Sequence, residues 1–165
     1  MTTRWRPAYI GVGSNLDSPS DRVRRAISTI GEYPDTRLFF SSPLYRSAPL
    51  GPQDQPDFVN AVVAVLTRLA PDGLFNLMQE TERENGRDRS VGRWGPRTLD
   101  LDLLSVSSLE LKTEQLTLPH PGIADRNFVL LPWSDITPDY FVPGLAPVRQ
   151  LVSRLTPQPA IKIEG

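Results

Sequence analysis

The stretch Arg93-Trp94-Gly95-Pro96-Arg97-Thr98-Leu99-Asp100-Leu101-Asp102-Leu103-Leu104 decides how the rest of the chain is read. From Thr98 onward leucine alternates with aspartate, the two-residue period of a strand, in which side chains two apart share a face. Leu99, Leu101 and Leu103 then point one way, and Asp100 and Asp102 the other, with Cα atoms about 6.6 Å apart, two strand rises. Carboxylates that close repel each other and resist burial unless positive charge stands between them. A hard divalent cation suits such an all-oxygen pair. A solvated edge strand accounts equally well for a bare Asp-x-Asp. Arg93, Trp94, Arg97 and the Gly95-Pro96 turn, crowded against the pair, tilt the reading towards a site.

Working outward, Tyr9 to Gly13 reads as a first strand with a Ser14-Asn15 turn. A helix follows to about Ile30, with Ser18 or Ser20 as its cap and Val23, Ala26, Ile27 and Ile30 on one face. Arg22, Arg24 and Arg25 fall mainly on its solvated side. Leu38 to Tyr45 reads as a second strand interrupted near Pro43, and Phe58 to Leu66 as a third. Between them Ala48 to Asp57 is proline-rich and aperiodic, the pattern of a functional loop. Pro71 opens a second helix with Leu74, Leu77, Met78 and Thr81 on its apolar face and Gln79, Glu80 and Glu82 projecting elsewhere. The polar segment from Glu84 to Gly92 is expected to be a loop. After the Asp-x-Asp strand come a short hairpin in 109–118, a turn at 118–122, an apolar helix through Trp133 and a last helix from Pro147 to Leu155. Strand, helix, strand, strand, helix, strand is the split βαβ pattern. The expectation is an α+β chain: a ferredoxin-like βαββαβ core with accessory C-terminal elements, three-layer α-β-α, one domain over residues 1–165 with a loose tail from 156.

Composition removes several classes. A 165-residue chain with 39% hydrophobic residues supports one globular core. A net charge of −1 gives no global field for nucleic acid or membrane. Lys112 and Lys162 are the only lysines, so the positive charge is almost all arginine, the side chain suited to bidentate phosphate recognition. Cysteine is absent and His120 is the single histidine, which excludes thiolate and His-rich metal sites. No apolar run reaches transmembrane length, and a cytoplasmic protein is expected. Gly11 and Gly13 suggest a dinucleotide loop, but Leu16 stands where the third glycine belongs, and no Gly-x4-Gly-Lys-Ser/Thr occurs.

Several ordered motifs together resemble the 6-hydroxymethyl-7,8-dihydropterin pyrophosphokinase family of folate biosynthesis. They are Gly11 to Asn15, Pro49 to Asn60, Gly86-Arg87-Asp88-Arg89, Arg93 to Asp102, Leu118-Pro119-His120-Pro121 and Arg126-Asn127-Phe128. The resemblance implies transfer of a pyrophosphoryl group from ATP to the pterin hydroxymethyl, with release of AMP. It implies two Mg²⁺ ions bound with ATP by Asp100 and Asp102, and charge neutralisation by Arg87 and Arg97 with Arg89 assisting. It places Gln79, Glu82, Arg89, Trp94, Arg97, Leu103, Thr117, His120 and Arg126 around the nucleotide. Around the pterin it places Ser47, Ala48, Leu50, Phe58, Asn60, Trp94, Asp100 and Phe128. Ser90 and Gln115 stand where relatives can carry basic residues. The partners implied are ATP and 6-hydroxymethyl-7,8-dihydropterin, with neither nucleic acid nor membrane, in a stand-alone monomer. Two rivals share the fold. A silent binding module would need a broken carboxylate pair or missing arginines. An RNA-binding module using Tyr9, Phe39 and Phe58 would need a basic surface that this composition does not supply.

Overall fold

The computed structural model describes residues 4–16, 18–48, 55–86, 98–156 and 160–163. In chain order the elements are β1 (Arg6–Ser14), α1 (Pro19–Gly31), β2 (Thr36–Ser41), β3 (Leu44–Ser47), β4 (Phe58–Thr67), α2 (Pro71–Glu84) and β5 (Asp100–Val106). The accessory elements are a hairpin of β6 (Leu111–Lys112) and β7 (Thr117–Leu118), a 3₁₀ turn (Ile123–Asp125), α3 (Asn127–Ile136), α4 (Val148–Ser153) and β8 (Ala160–Ile163). The main sheet runs β5-β1-β4, with β2 and β3 following one another along the far edge of β4 and β8 outside β3. Every strand pair is antiparallel. This is the expected split βαβ order, and helices cover both faces.

Alternation along the central strands builds the two cores. Ala8, Ile10 and Val12 of β1, Val59, Ala61, Val63 and Val65 of β4 and Leu101 and Leu103 of β5 meet Val23, Ile27 and Ile30 of α1 and Leu74 and Met78 of α2. On the other face Tyr9, Val62, Ala64 and Leu104 meet Val129, Leu130 and Trp133 of α3 and Val148 and Leu151 of α4. Burial on both faces explains why β1 and β4 read as nearly unbroken apolar runs. Leu99, Leu101 and Leu103 are buried, while Asp100 and Asp102 keep partial access to solvent, as the alternation requires.

Three expectations need correction. Ser18 does occupy the position before α1, but it adopts a left-handed conformation (φ 58°) and makes no side-chain cap. Pro19 at the helix start, whose ring presets a helical φ, supplies the local order instead. Glu82 does not project away from the apolar face of α2. It is 4% exposed, because it lies one helical turn beyond buried Met78. The tail is not loose throughout: residues 160–163 add a strand to the edge of β3, in register from Leu44↔Ile163 to Ser47↔Ala160.

Candidate active site

The floor of the site follows from strand register. Gly13 of β1 pairs with Asn60 of β4 on one side and with Asp100 of β5 on the other. Gly11, two residues back on the same face, lies between Val62 and Asp102. Opposed residues in antiparallel strands share a face, so Asp100, Gly13 and Asn60 form one row and Asp102 begins the next. The two glycines that suggested a nucleotide loop are strand residues that add no side chain of their own to the middle of the sheet. A Cβ on Gly13 would lie 2.5 Å from Asn60 Oδ1. The absence of a side chain there is what lets the Asn60 amide lie over β1.

Above this floor is a cleft of about 470 Å³. Every described residue expected at the site lines it except Gln79: Ser47, Ala48, Phe58, Asn60 and Phe128, then Asp100 and Asp102, then Glu82, Leu103, Thr117, His120 and Arg126. Gln115, marked in the sequence as a place where relatives can carry a basic residue, also lines it, together with Phe75, Thr113, Glu114 and Leu116, which the sequence did not single out. Arg87, Arg89, Trp94, Arg97 and Leu50 lie outside the described residues.

Asp102 sits at the centre of a polar cluster. His120 Nε2 is 3.6 Å from one carboxylate oxygen, and an Arg126 guanidinium nitrogen is 3.6 Å from the other. His120 Nδ1 accepts the Gly122 N–H at 3.1 Å, so the ring carries its hydrogen on Nε2, facing the carboxylate. The His120 amide donates to the Leu104 carbonyl at 2.9 Å, which pins this turn to the outer edge of β5. Arg126 lies flat on Gly122, where an added Cβ would come within 2.6 Å of its Nε. Its guanidinium also stands 5.7 Å from the centre of the Phe128 ring, within cation–π range. The start of α3 thus brings a cation and an aromatic face to the cleft together.

The aromatic end is built from β3, β4 and α3. Phe58 pairs with Ser47 in the sheet, and Asn60 Nδ2 donates to Ser47 Oγ at 3.4 Å. Nearby, buried Asn15 donates to the Gln55 side chain at 2.9 Å and to the Pro56 carbonyl at 3.0 Å. That clasp ties the end of the proline-rich loop to the turn after β1. Only its parts were visible in the sequence, because its partners are 40 residues apart.

The entry to β5 is held with similar care. Thr98 Oγ1 donates to the Asn85 carbonyl at 2.6 Å, and Ser14 Oγ donates to the Thr98 carbonyl at 2.5 Å. Glu82 Oε2 accepts the Leu101 N–H at 2.9 Å. Among the described residues no three ligating side chains gather around one point. Asp100 and Asp102, which share one face of β5, are the carboxylates that could contribute to a cation site in which other oxygens complete the coordination.

Comparison with known proteins gives the family of the chain. The family model described as 7,8-dihydro-6-hydroxymethylpterin-pyrophosphokinase (HPPK) matches residues 9–138. The chain is 41% identical over 156 residues to the 2-amino-4-hydroxy-6-hydroxymethyldihydropteridine pyrophosphokinase of Haemophilus influenzae, covering 94% of this chain and 97% of that one. It is 47% identical over 135 residues to the protein of the same name from Pseudomonas aeruginosa, covering 82% and 83%. A crystal structure of Plasmodium falciparum HPPK-DHPS superposes with a TM-score of 0.72 at 14% identity over 92% of this chain, a likeness of fold. The chain spans 45% of the length of that solved chain. Fold and relatives together make this an α+β enzyme, a transferase of the kinase type. The chain belongs to the 7,8-dihydro-6-hydroxymethylpterin-pyrophosphokinase (HPPK) family.

Proposed function

We propose that this cleft carries out the family's reaction with Mg²⁺, holding the pterin over Asn60 and the ATP phosphates over Asp100 and Asp102. The reaction is transfer of pyrophosphate from ATP to 6-hydroxymethyl-7,8-dihydropterin in folate biosynthesis. The hydroxymethyl oxygen attacks the β-phosphorus. The bond from that phosphorus to the α–β bridging oxygen breaks, AMP leaves with the oxygen, and the hydroxyl proton passes to water. The single observation behind this reading is the Asp100–Gly13–Asn60 row. It sets the carboxylate strand about 9.5 Å from the strand of Asn60, two strand spacings, and the Asn60 amide occupies the room left over Gly13 between them. A two-ring heterocycle held at that amide points its one-carbon arm at the carboxylates.

Each group then has a task. Phe58 and Phe128 offer apolar faces to a flat ring, and Asn60 both donates and accepts along its amide-like edge. Asp100 and Asp102 are the residues that would hold Mg²⁺. When bound, the cation offsets phosphate charge and acidifies a coordinated hydroxyl. Arg126 and the Nε2–H of His120 are donors for phosphate oxygens beside the carboxylates. The resemblance adds Arg87, Arg89 and Arg97 to that positive set.

The reading also takes the enzyme as a cytoplasmic monomer. The described lining of the cleft comes from one chain, both substrates are small and water-soluble, and no helix of the described residues is long and apolar enough to cross a membrane. The test is AMP release from ATP in the presence of the hydroxymethyl-dihydropterin. Asp100→Asn or Asp102→Asn should lower turnover by orders of magnitude while the melting curve stays cooperative. Near-normal AMP release by either variant at low Mg²⁺ would remove the metal assignment.

A further inference from the structure

We propose that Glu82 is a positioning residue for the carboxylate pair: through the Leu101 amide it sets where Asp100 and Asp102 stand. The proposal rests on the assignment of those two carboxylates to the cation. Among the described residues β5 is the terminal strand of the main sheet, with β1 as its one neighbour. Amides on its outer edge therefore have no ladder partner, and a buried one must find another acceptor. Leu101, the residue between the two aspartates, is 5% exposed. Its N–H finds the Glu82 carboxylate at 2.9 Å. Glu82 is itself 4% exposed, so the bond lies out of reach of competing water and is the stronger for it.

The neighbouring contacts point the same way. The last turn of α2 also supplies the Asn85 carbonyl that accepts from Thr98 Oγ1 at 2.6 Å. Thr98 is held from its other side by Ser14 of β1. Arg22 of α1 donates to the Asn85 side chain at 3.1 Å, so both helices of this layer brace the mount. Beyond the pair, the Leu104 carbonyl accepts from the His120 amide at 2.9 Å. The outer edge of β5 is thus fixed before, within and after the Asp100–Asp102 segment. A buried carboxylate is held in place by the groups that satisfy it, so its bond to the Leu101 amide ties β5 to α2. Here it fixes the spacing of two like charges that must meet one cation cluster.

The experiment compares Glu82→Ala, Glu82→Gln and Thr98→Val by titrating Mn²⁺ together with a non-hydrolysable ATP analogue, and by following the Leu101 amide in NMR spectra of the unliganded proteins. Loss of a group that orients metal ligands lowers metal affinity by about 10–100-fold. That is the fall expected for Glu82→Ala, together with an upfield shift and faster solvent exchange of the Leu101 amide. Glutamine keeps an acceptor oxygen at the same reach. Glu82→Gln should therefore stay within about threefold of the unaltered chain, the scale of weakening one hydrogen bond, with the amide still protected. Thr98→Val should fall between the two. Equal losses in Glu82→Gln and Glu82→Ala would show that the charge itself acts on the ligands and would overturn the proposal. So would Mn²⁺ affinity in Glu82→Ala equal to that of the unaltered chain. If the unaltered chain fails to bind Mn²⁺ with the nucleotide analogue, the metal reading falls instead.

Discussion

Gly13 and Gly122 each stand where one methyl group would strike a polar side chain of the cleft. An added Cβ lies 2.5 Å from Asn60 Oδ1 at the first and 2.6 Å from Arg126 Nε at the second. Neither position has the left-handed backbone that itself demands glycine, so space is the requirement. The two collisions fall in different halves of the cleft, and this separates their effects. Gly13→Ala should push the Asn60 amide off the sheet floor and weaken pterin binding by about 1–2 kcal/mol, the range for overpacking and a misplaced hydrogen bond. Nucleotide affinity should change little. Gly122→Ala should do the reverse, because Arg126 is the group it displaces from Asp102. Calorimetry with each ligand separately checks both variants, and losses shared equally by the two ligands would contradict the division. Phe128→Ala belongs to the same test: it should cost pterin affinity about 1–3 kcal/mol, the scale for removing one aromatic platform.

The last strand, β8, carries the element-scale argument. It covers the outer edge of β3, whose inner edge pairs with the β4 segment holding Phe58 and Asn60. Asp135 of α3 accepts the Tyr45 hydroxyl at 2.5 Å and lies 3.4 Å from the Lys162 ammonium, tying strand, helix and tail. Truncating the chain after Thr156 should lower stability by about 1–2 kcal/mol, through lost burial of Ile163 and lost ladder bonds. It should also raise KM for the pterin, because Ser47 ends β3. A urea melt that does not move would show the strand to be ornamental. β8 was not legible in the sequence because four residues following a proline-rich stretch carry no period of their own. The Asp-x-Asp strand, β4 and both long helices were legible, since burial on one face or two writes a period of 2 or 3.6 into the chain. Glu82 was a missed signal rather than an absent one. Leu74, Met78 and Glu82 recur every fourth residue, a spacing that puts all three on one helix face, and the charge led the reading elsewhere. The Asn15–Gln55 clasp and the glycine-floored row depend on long-range register, which local pattern does not encode.

At the scale of the whole molecule, all four tyrosines sit where the layers meet. Tyr33 joins α1 to α2 through Thr81 Oγ1 at 2.5 Å. Tyr140 bonds Ser105 of β5 at 2.7 Å and the Ser107 carbonyl at 2.6 Å. Tyr9 packs its ring 4.9 Å from Trp133 and 4.5 Å from Tyr140. Tyr45 reaches Asp135 across to α3. Burial is the main cause raising the pKa of every one of these phenols, and at Tyr45 the Asp135 hydrogen bond and negative charge raise it further. Both states keep their phenols protonated below the ordinary tyrosine value of about 10, so stability there is untouched. Above it the unfolded chain releases protons that the native chain still holds, and stability falls by about 1.4 kcal/mol per pH unit for each such group. The molecule should therefore unfold steeply above pH about 10, with tyrosinate absorbance appearing together with the loss of helix rather than before it. Tyr45→Phe removes one of the titrating groups. It should cost about 1 kcal/mol at neutral pH for the lost Asp135 bond, and its curve of melting temperature against pH should then fall less steeply and approach that of the unaltered chain. Tyrosinate formed with an ordinary phenol midpoint while the helical signal is intact would show that these hydroxyls are not held between the layers.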